Sequence, residues 1–416
     1  MARHFDVIVA GAGIVGVSTA LHLLMRGLKV GLIDRRGAGL ETSYGNAGVI
    51  GNSYILPFGF PEPKKIVDVI FDRDTSARVR YSKLPRYASW LFEFYCQSLD
   101  KNRCQNGHFL WPLLRSAVDE HQFLMRSTDA ARHMHKTGRV SLYRRESAFV
   151  KETVERELAS ELGVAYEVFE AAAFCEIEPY LKPIFHKAVR WNDSPRLDNP
   201  GAVTAAYAER FVKEGGTFLI EDIKALEFKD QGAWCVKTAQ GEAEAPRVVI
   251  CMGPWSKEFL RPLGYHFPMA PKRGYHQHYR AQGKATLQHA LTDTAWGYVM
   301  VPMEQGIRLT TGAEIADPED PPNPVQLARL LPYAQELFPL ADPVDKAPWY
   351  GSRPCFADSR PVIGPAPKHS GLWLNFGHGH MGLTMGPSTA HLLADMMTGA
   401  KPYCDPTPYR AERFSL

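Results

Sequence analysis

Two glycine-bearing turns, each set between an apolar run and a helix-forming run, are the parts of this sequence built for chemistry. The first is Gly11-Ala12-Gly13-Ile14-Val15-Gly16. An apolar run of β-formers, Phe5 to Ala10, precedes it, and a helical run from Val17 to about Arg26, stopped by Gly27, follows. A second apolar run, Lys29 to Ile33, ends on Asp34. This β-turn-α-β pattern binds the ADP half of a dinucleotide. Gly11 permits the tight turn, Gly13 lets the backbone approach a pyrophosphate, and Gly16 lets the helix pack on the strand. The helix N-terminus offers free N–H groups and a partial positive charge to the phosphates. Asp34, at a strand tip, can accept both ribose hydroxyls. An acid there disfavours a 2′-phosphate, which sets NADP aside and leaves FAD and NAD.

The second turn is Gly377-His378-Gly379-His380-Met381-Gly382, between the apolar run Gly371 to Phe376 and a helical run from Leu383 and Thr384 to Met397. No strand ending in an acid follows it, so it is not a second dinucleotide unit. A helix N-terminus behind glycines still favours a developing negative charge. A reduced flavin carries such charge at N1–C2=O, and an FAD stretched between the two turns answers both requirements. Between them in sequence, Arg35 and Arg36 leave the second strand and lead to Thr42-Ser43-Tyr44-Gly45-Asn46-Ala47-Gly48. This stretch of small and polar residues has no helix or strand period and is suited to running beneath a flavin. The histidine pairs His276/His278 and His378/His380 lack a third ligand or a clustered carboxylate, so no metal is expected. His133 and His135 read as two apart on a helix, facing different ways.

Further elements must hold these turns. Arg247 to Cys251 reads as a buried parallel strand returning to the nucleotide sheet, with Gly253 and Trp255 just past its end. Thr217 to Ile220, Ile223 to Phe228 and Ala233 to Thr238 read as strands, and Ala202 to Glu214 as a helix. Phe267 to Tyr279, Tyr298 to Val301 and Ile307 to Ala313 suggest an antiparallel sheet. Helices are expected over Phe109 to Met134 and Ser147 to Leu162. In the aromatic run Tyr87 to Tyr95, helical spacing puts Trp90, Leu91, Phe94 and Tyr95 on one buried side. Arg78, Arg80, Lys83 and Arg86 precede it, so a membrane- or partner-facing surface stays open.

At 416 residues the chain suits two joined domains. A net charge of +3 with interspersed acids offers no nucleic-acid face. The seven cysteines form no CxxC pair and read as free thiols of a reducing compartment. Asp6 and three glycines interrupt the run from Val7 to Leu24, which argues against a signal peptide. No run reaches the roughly 18 apolar residues of a spanning helix. A cytoplasmic protein is expected, with contact at the inner membrane surface left open.

The pattern resembles the D-amino-acid oxidase superfamily of FAD-dependent oxidoreductases, in the branch of bacterial D-amino-acid dehydrogenases and glycine or sarcosine oxidases. The resemblance spans nearly the whole chain. Its residues are the first turn with Asp34; the Thr42 to Gly48 loop; Pro271-Lys272-Arg273-Gly274-Tyr275; Gly351-Ser352-Arg353-Pro354 leading to Asp358-Ser359-Arg360-Pro361-Val362-Ile363-Gly364; and the Gly377 to Thr384 loop. It implies an α/β (α+β) fold: a Rossmann-type FAD-binding domain of residues 1–56, 196–262 and 350–416, interleaved with an antiparallel-sheet substrate domain of residues 57–195 and 263–349. It implies that Ser43, Asn46, Ala47 and Gly48 line the flavin, that Ile223 meets the adenine side through its backbone, and that Gly377 to Thr384 approach the isoalloxazine. In some sarcosine oxidases a cysteine ahead of the proline-aspartate segment carries the flavin. Gly351 stands there and Cys355 is offset, so non-covalent FAD is expected.

The family oxidises amines bearing a carboxylate. A hydride must leave Cα toward flavin N5, held about 3–3.5 Å away in line. A bidentate arginine anchors the carboxylate best, and by the resemblance Arg353 is the first candidate and Arg273 the second. Tyr54 and Tyr275 are candidates to cap the substrate, and His378 and His380 to tune the flavin or bond the amine. The expected activity is oxidation of a D-amino acid, or a cyclic imino acid such as a D-proline derivative, to an imine that hydrolyses to a 2-oxo acid. The electron acceptor is a quinone or other carrier, or O2. A glycine/sarcosine-type oxidase is the alternative on the same scaffold. A flavin-binding subunit that docks a partner through the segment around Trp90 is the alternative of another class.

Overall fold

A computed structural model describes residues 2–61, 63–229 and 232–415. Val7–Ala10 is apolar and buried throughout, as a strand covered on both faces must be. It lies near the centre of a six-stranded sheet in the order Thr217–Ile220, Val30–Asp34, Val7–Ala10, Val248–Ile250, Leu372–Phe376, Val362–Pro365. The first five strands are parallel and the last joins antiparallel. Val7 and Val9 face one way, onto a core that includes Leu21, Val203 and Leu393 of the helices Ile14–Met25, Pro200–Lys213 and Gly382–Thr398. Ile8 and Ala10 face the other way, onto Trp234, Val236 and Ala243 of a four-stranded sheet that also takes in Arg3–His4 and Ile223–Phe228.

This order brings the two glycine turns together. Val7–Ala10 and Leu372–Phe376 are parallel and separated only by Val248–Ile250. Their helices therefore both begin at the carboxyl edge of one sheet, where ligands of open α/β sheets bind.

Facing that edge is a ten-stranded, mostly antiparallel sheet. Its long strand Met269–Ala281 pairs with both Gly306–Ile315 and Trp349–Phe356. The expectation that residues from 350 onward join the cofactor half therefore fails for Trp349–Phe356. Helix Leu84–Gln97 buries Tyr87, Trp90 and Phe94, whereas Tyr95 is 51% exposed, because it lies a further 100° round the helix from Phe94. The helix expected over Phe109 to Met134 is instead Asp100–Arg115 and Ala117–Met125. It breaks where Pro112 lacks an N–H and the Ser116 hydroxyl turns back onto the Pro112 and Leu113 carbonyls. The segment Ser147 to Leu162 likewise forms two helices, Glu146–Lys151 and Thr153–Glu161. His133 and His135 are not on one helix. The second lies on strand Met134–His135, and both rings bond the Asp198 carboxylate, each at 2.7 Å. Among the described residues, no helix is long and apolar enough to cross a membrane.

Candidate active site

A cavity of about 1460 Å³ runs from the carboxyl edge of the nucleotide sheet to the face of the large sheet. At one end, Gly11 has φ +102°, and a Cβ there would lie 2.5 Å from the Cys251 carbonyl oxygen. Ala12, Gly13, Ile14 and Val15 also border the cavity. Gly16 does not border it; any side chain there would overlap the Gly11 carbonyl, so this glycine serves the packing of helix on strand. The Ser43 hydroxyl accepts from Ile14 N at 3.0 Å, fixing the first helical turn.

Asp34 borders the cavity and holds the turn. Its carboxylate accepts from Ala12 N at 2.7 Å and Arg36 N at 2.8 Å. Burial raises its pKa and those two N–H groups oppose the rise. A carboxylate has about four acceptor positions, so positions remain for two hydroxyls. Arg35 stacks on Trp255 at 4.5 Å, and both border the cavity with Ile223 and Gly253. The Arg36 side chain does not. Its guanidinium pairs with Glu41 at 3.2 Å in solvent, and it contributes its backbone alone.

Thr42, Ser43, Asn46 and Ala47 line the middle. Thr42 Oγ1 donates to Ser352 O at 2.8 Å, and Asn46 Oδ1 accepts from Gly48 N at 2.9 Å. Gly48 does not line the cavity, contrary to expectation. It has φ +76° and packs its bare Cα against the Leu197 carbonyl. Sequence reasoning missed the support of this loop. Arg308 donates to Tyr44 O at 3.0 Å and Asn46 O at 2.5 Å, and is itself braced by His278 and Asp345. The only local signal is one arginine inside a strand of apolar residues and threonines.

At the other end, Gly377, His378, Gly379, His380, Met381, Gly382, Leu383 and Thr384 all border the cavity. Helix Gly382–Thr398 has no side-chain cap and no acid in its first turn, so its positive end is unmet by protein. His378 Nε2 lies 2.9 Å from Thr389 Oγ1, and burial pushes its pKa down to about 3. Burial, then Arg353 and Lys272, push His380 well below the ordinary histidine range, so its ring is neutral.

Arg353 reaches the cavity from Trp349–Phe356. Its Nη1 donates to Gly312 O at 2.9 Å, and its guanidinium lies over Gly274, where a Cβ would be 2.5 Å from Cζ. Burial lowers its pKa, and among the described residues it has no carboxylate partner. Arg273 corrects an expectation. It is fully buried on the opposite face of its strand. Its guanidinium donates to the carbonyls of Pro321 at 3.0 Å, Asp317 at 2.5 Å and Asp320 at 2.8 Å, so it clamps the proline-rich loop and does not line the cavity. Alternation explains this: residues 272 and 274 share Arg353's face and 273 cannot. Tyr275 borders the cavity, but its side chain shares the Arg273 face of the strand. Its hydroxyl donates to Glu314 at 2.6 Å and accepts from Asn323 N at 2.7 Å. Tyr54 lines the cavity with its ring on Arg139, 4.1 Å from the guanidinium carbon. Arg139, Glu155 and Lys272 were not anticipated. Burial pushes Glu155 up to about 7, opposed by Arg139 at 3.8 Å.

Gly351 lines the cavity, but a side chain there would overlap the Trp349 ring, and Cys355 is buried outside this cavity's wall. Trp255 Nε1, Thr311 Oγ1 and Asn375 Oδ1 belong to cavity-lining residues and are buried without hydrogen-bond partners among the described residues. These orphaned groups, the uncapped N-terminus of Gly382–Thr398 and the Asp34 carboxylate fit a long, polar-and-aromatic cofactor. Among the described residues, one group of three potential metal ligands converges, Cys235, Glu242 and Glu244, on a β-hairpin away from the cavity, and Lys229 bonds its carboxylates.

The D-amino acid dehydrogenase of Azorhizobium caulinodans is 30% identical over 405 residues, covering 95% of this chain and 96% of that protein. The D-amino acid dehydrogenase of Chromohalobacter salexigens is 27% identical, covering 99% of this chain and 100% of that protein. The fold matches the crystal structure of glycine oxidase from Geobacillus kaustophilus with a TM-score of 0.75 at 20% identity, over 99% of this chain and 100% of that one. The family described as FAD dependent oxidoreductase, DAO, matches residues 6–396. The chain therefore belongs to the DAO family of FAD-dependent oxidoreductases.

Proposed function

We propose that this enzyme oxidises a D-amino acid, or a cyclic imino acid of the D-proline kind, to the imine, which water converts to a 2-oxo acid and ammonia or the corresponding amine. The observation that carries the reading is Arg353: a half-buried guanidinium bordering the cofactor cavity, with no carboxylate partner among the described residues. A substrate carboxylate fills that role with bidentate geometry. The names of the relatives, D-amino acid dehydrogenases over nearly their full length, agree with it.

When bound, non-covalent FAD supplies the acceptor for the hydride leaving Cα. The chain's own residues do the rest. Asp34 and the Gly11–Gly16 turn hold the ribose and pyrophosphate. Thr42 to Ala47, Arg35 and Trp255 would line its binding site, and the N-terminus of Gly382–Thr398 would favour negative charge there. Arg353 fixes the carboxylate so that Cα is held in line. His380, neutral and next to Arg353, accepts a hydrogen bond from the amine. Tyr54 closes the site against water. A substrate amine bound unprotonated needs no protein base; as the hydride leaves, the nitrogen lone pair forms the C=N bond and its proton goes to water.

The test is turnover of purified holoenzyme with D- and L-amino acids, cyclic imino acids and N-methylglycine, with a dye acceptor and separately in air. The reading predicts dye reduction and 2-oxo acid with D-substrates and little peroxide, electrons passing to a quinone or similar carrier. Fast peroxide formation with glycine or N-methylglycine alone would replace it with an oxidase of that type.

A further inference from the structure

Lys272 and Arg353 stand directly opposite one another on the antiparallel strands Met269–Ala281 and Trp349–Phe356. Cross-strand partners project from the same face of a sheet, and like charges so placed repel. Both residues border the cavity. Neither has a carboxylate partner among the described residues. The titratable groups that interact with both are the Cys355 thiol, which burial keeps protonated, and the neutral His380 ring, and neither supplies a negative charge. Two basic groups therefore meet one cavity without a counter-charge; burial lowers the pKa of both, and an anion brought to the cavity supplies the charge that is missing.

The two heads splay in opposite directions along the ladder. Arg353 leans toward Gly274 and donates to Gly312 O at 2.9 Å. Lys272 leans toward helix Leu84–Gln97, its Nζ 3.7 Å from the centre of the Phe94 ring and 5.0 Å from that of Trp90. Those rings cluster with Ala270, Cys355 and Ala357, on the far side of the pair from Gly274. They stabilise a cation without neutralising it. No hydrogen bond from Lys272 to a protein acceptor is formed among the described residues. A second, small cavity of about 30 Å³ also opens beside Lys272, lined by Tyr54, Phe58 and His380, with room for an oxygen atom. A single α-carboxylate at Arg353 balances one of the two charges and leaves the other.

We propose that Lys272 binds a second anionic group of the substrate, so that the preferred substrates are amino acids with two carboxylates, the second on the side chain or on the nitrogen. Arg353 orients the α-carboxylate and Lys272 selects for the distal one. This rests on the amino-acid-oxidising reading of the cavity, and a binding measurement separates the two.

The experiment titrates holoenzyme with non-oxidisable succinate and propionate by calorimetry and by the shift of the flavin spectrum. It repeats this for Lys272→Met and Lys272→Arg, and compares kcat/KM for D-glutamate and D-norvaline. Succinate is expected to bind at least about tenfold more tightly than propionate. Lys272→Met, an unbranched neutral side chain that still packs on Phe94, is expected to erase that advantage, and the D-glutamate to D-norvaline ratio falls by about the same factor. Lys272→Arg keeps a preference for the dianion and serves if the methionine variant does not fold. Equal affinity of wild-type enzyme for succinate and propionate overturns the proposal, as does a ratio that Lys272→Met leaves unchanged. A flavin that no amino acid reduces, with succinate still bound through Lys272, overturns the oxidation reading and not the dianion site.

Discussion

Gly274 offers a way to displace Arg353, the proposed substrate arginine, without mutating it. Gly274 sits in a strand with an ordinary φ, so alanine suits its backbone. A Cβ there would lie 2.2 Å from Nη2 of Arg353 and 2.5 Å from both its Cζ and Nη1. Ordinary contact needs about 3.5 Å or more, so the guanidinium must retreat by roughly 1 Å. The obstacle is the far end of a flexible side chain bordering a cavity, so folding is spared and geometry is lost. A misplacement of that size costs about 100-fold in an in-line transfer, equivalent to about 2.7 kcal/mol of activation free energy. In Gly274→Ala, the FAD content and thermal midpoint of the purified protein are expected to match wild type. The rate of anaerobic flavin reduction at saturating D-amino acid is expected to fall about 100-fold, judged in a rapid-mixing absorbance experiment. Wild-type reduction in a folded, flavin-loaded Gly274→Ala protein would refute the assignment of Arg353 as the group that orients the substrate.

Other perturbations follow from the same geometry. Gly16→Ala sets a methyl group into the Gly11 carbonyl, a backbone atom that cannot yield, so the protein is expected to purify without flavin, read from flavin absorbance per chain. Asp34→Ala removes the acceptor of the Ala12 and Arg36 amides. At about 1.5–3 kcal/mol for hydrogen bonds to a charged group, FAD affinity of the apoprotein is expected to fall about 10- to 100-fold in a fluorescence titration. Glu120 governs acid stability: burial alone would raise its pKa, but the His22 ring at 3.5 Å and the His391 hydrogen bond at 2.7 Å bring it down from 4.5 to about 2. A folded value below the unfolded one means that this stabilisation is complete above pH 4.5 and is lost as the pH falls toward 2. Glu120→Gln is therefore expected to cost on the order of 3 kcal/mol in denaturant unfolding at pH 6 and progressively less below pH 4.

The parts legible in the sequence are those whose signal is contiguous. The Gly11 to Asp34 unit, the strand Val248–Ile250 and the Gly377 to Thr384 loop each carry their own strand, turn and helix residues within a short stretch. The illegible parts depend on which face a residue takes or on partners far along the chain. Arg273 and Lys272 are neighbours in one motif. Only the pairing of Lys272 with Arg353 decides that the second faces the cavity and the first clamps a loop. Arg308 supports Tyr44 and Asn46 across more than 260 residues, and His133 and His135 meet on Asp198 across more than 60. Tyr95 shares the composition of a buried aromatic run but lies past the edge of its buried stripe. In each case the missing information is tertiary: strand register, or the rotation of a helix against its neighbour.

The central claim joins a cofactor gripped by two glycine turns to a guanidinium that presents a carboxylate-bearing amine. Anaerobic mixing of wild-type and Arg353→Met holoenzyme with a D-amino acid, followed by flavin absorbance, tests it most directly. Both proteins are expected to be yellow with one FAD per chain, the wild type bleaching with the D- and not the L-enantiomer and the variant staying oxidised. A colourless protein that FAD does not restore, or an Arg353→Met variant that bleaches as fast as wild type, would contradict it.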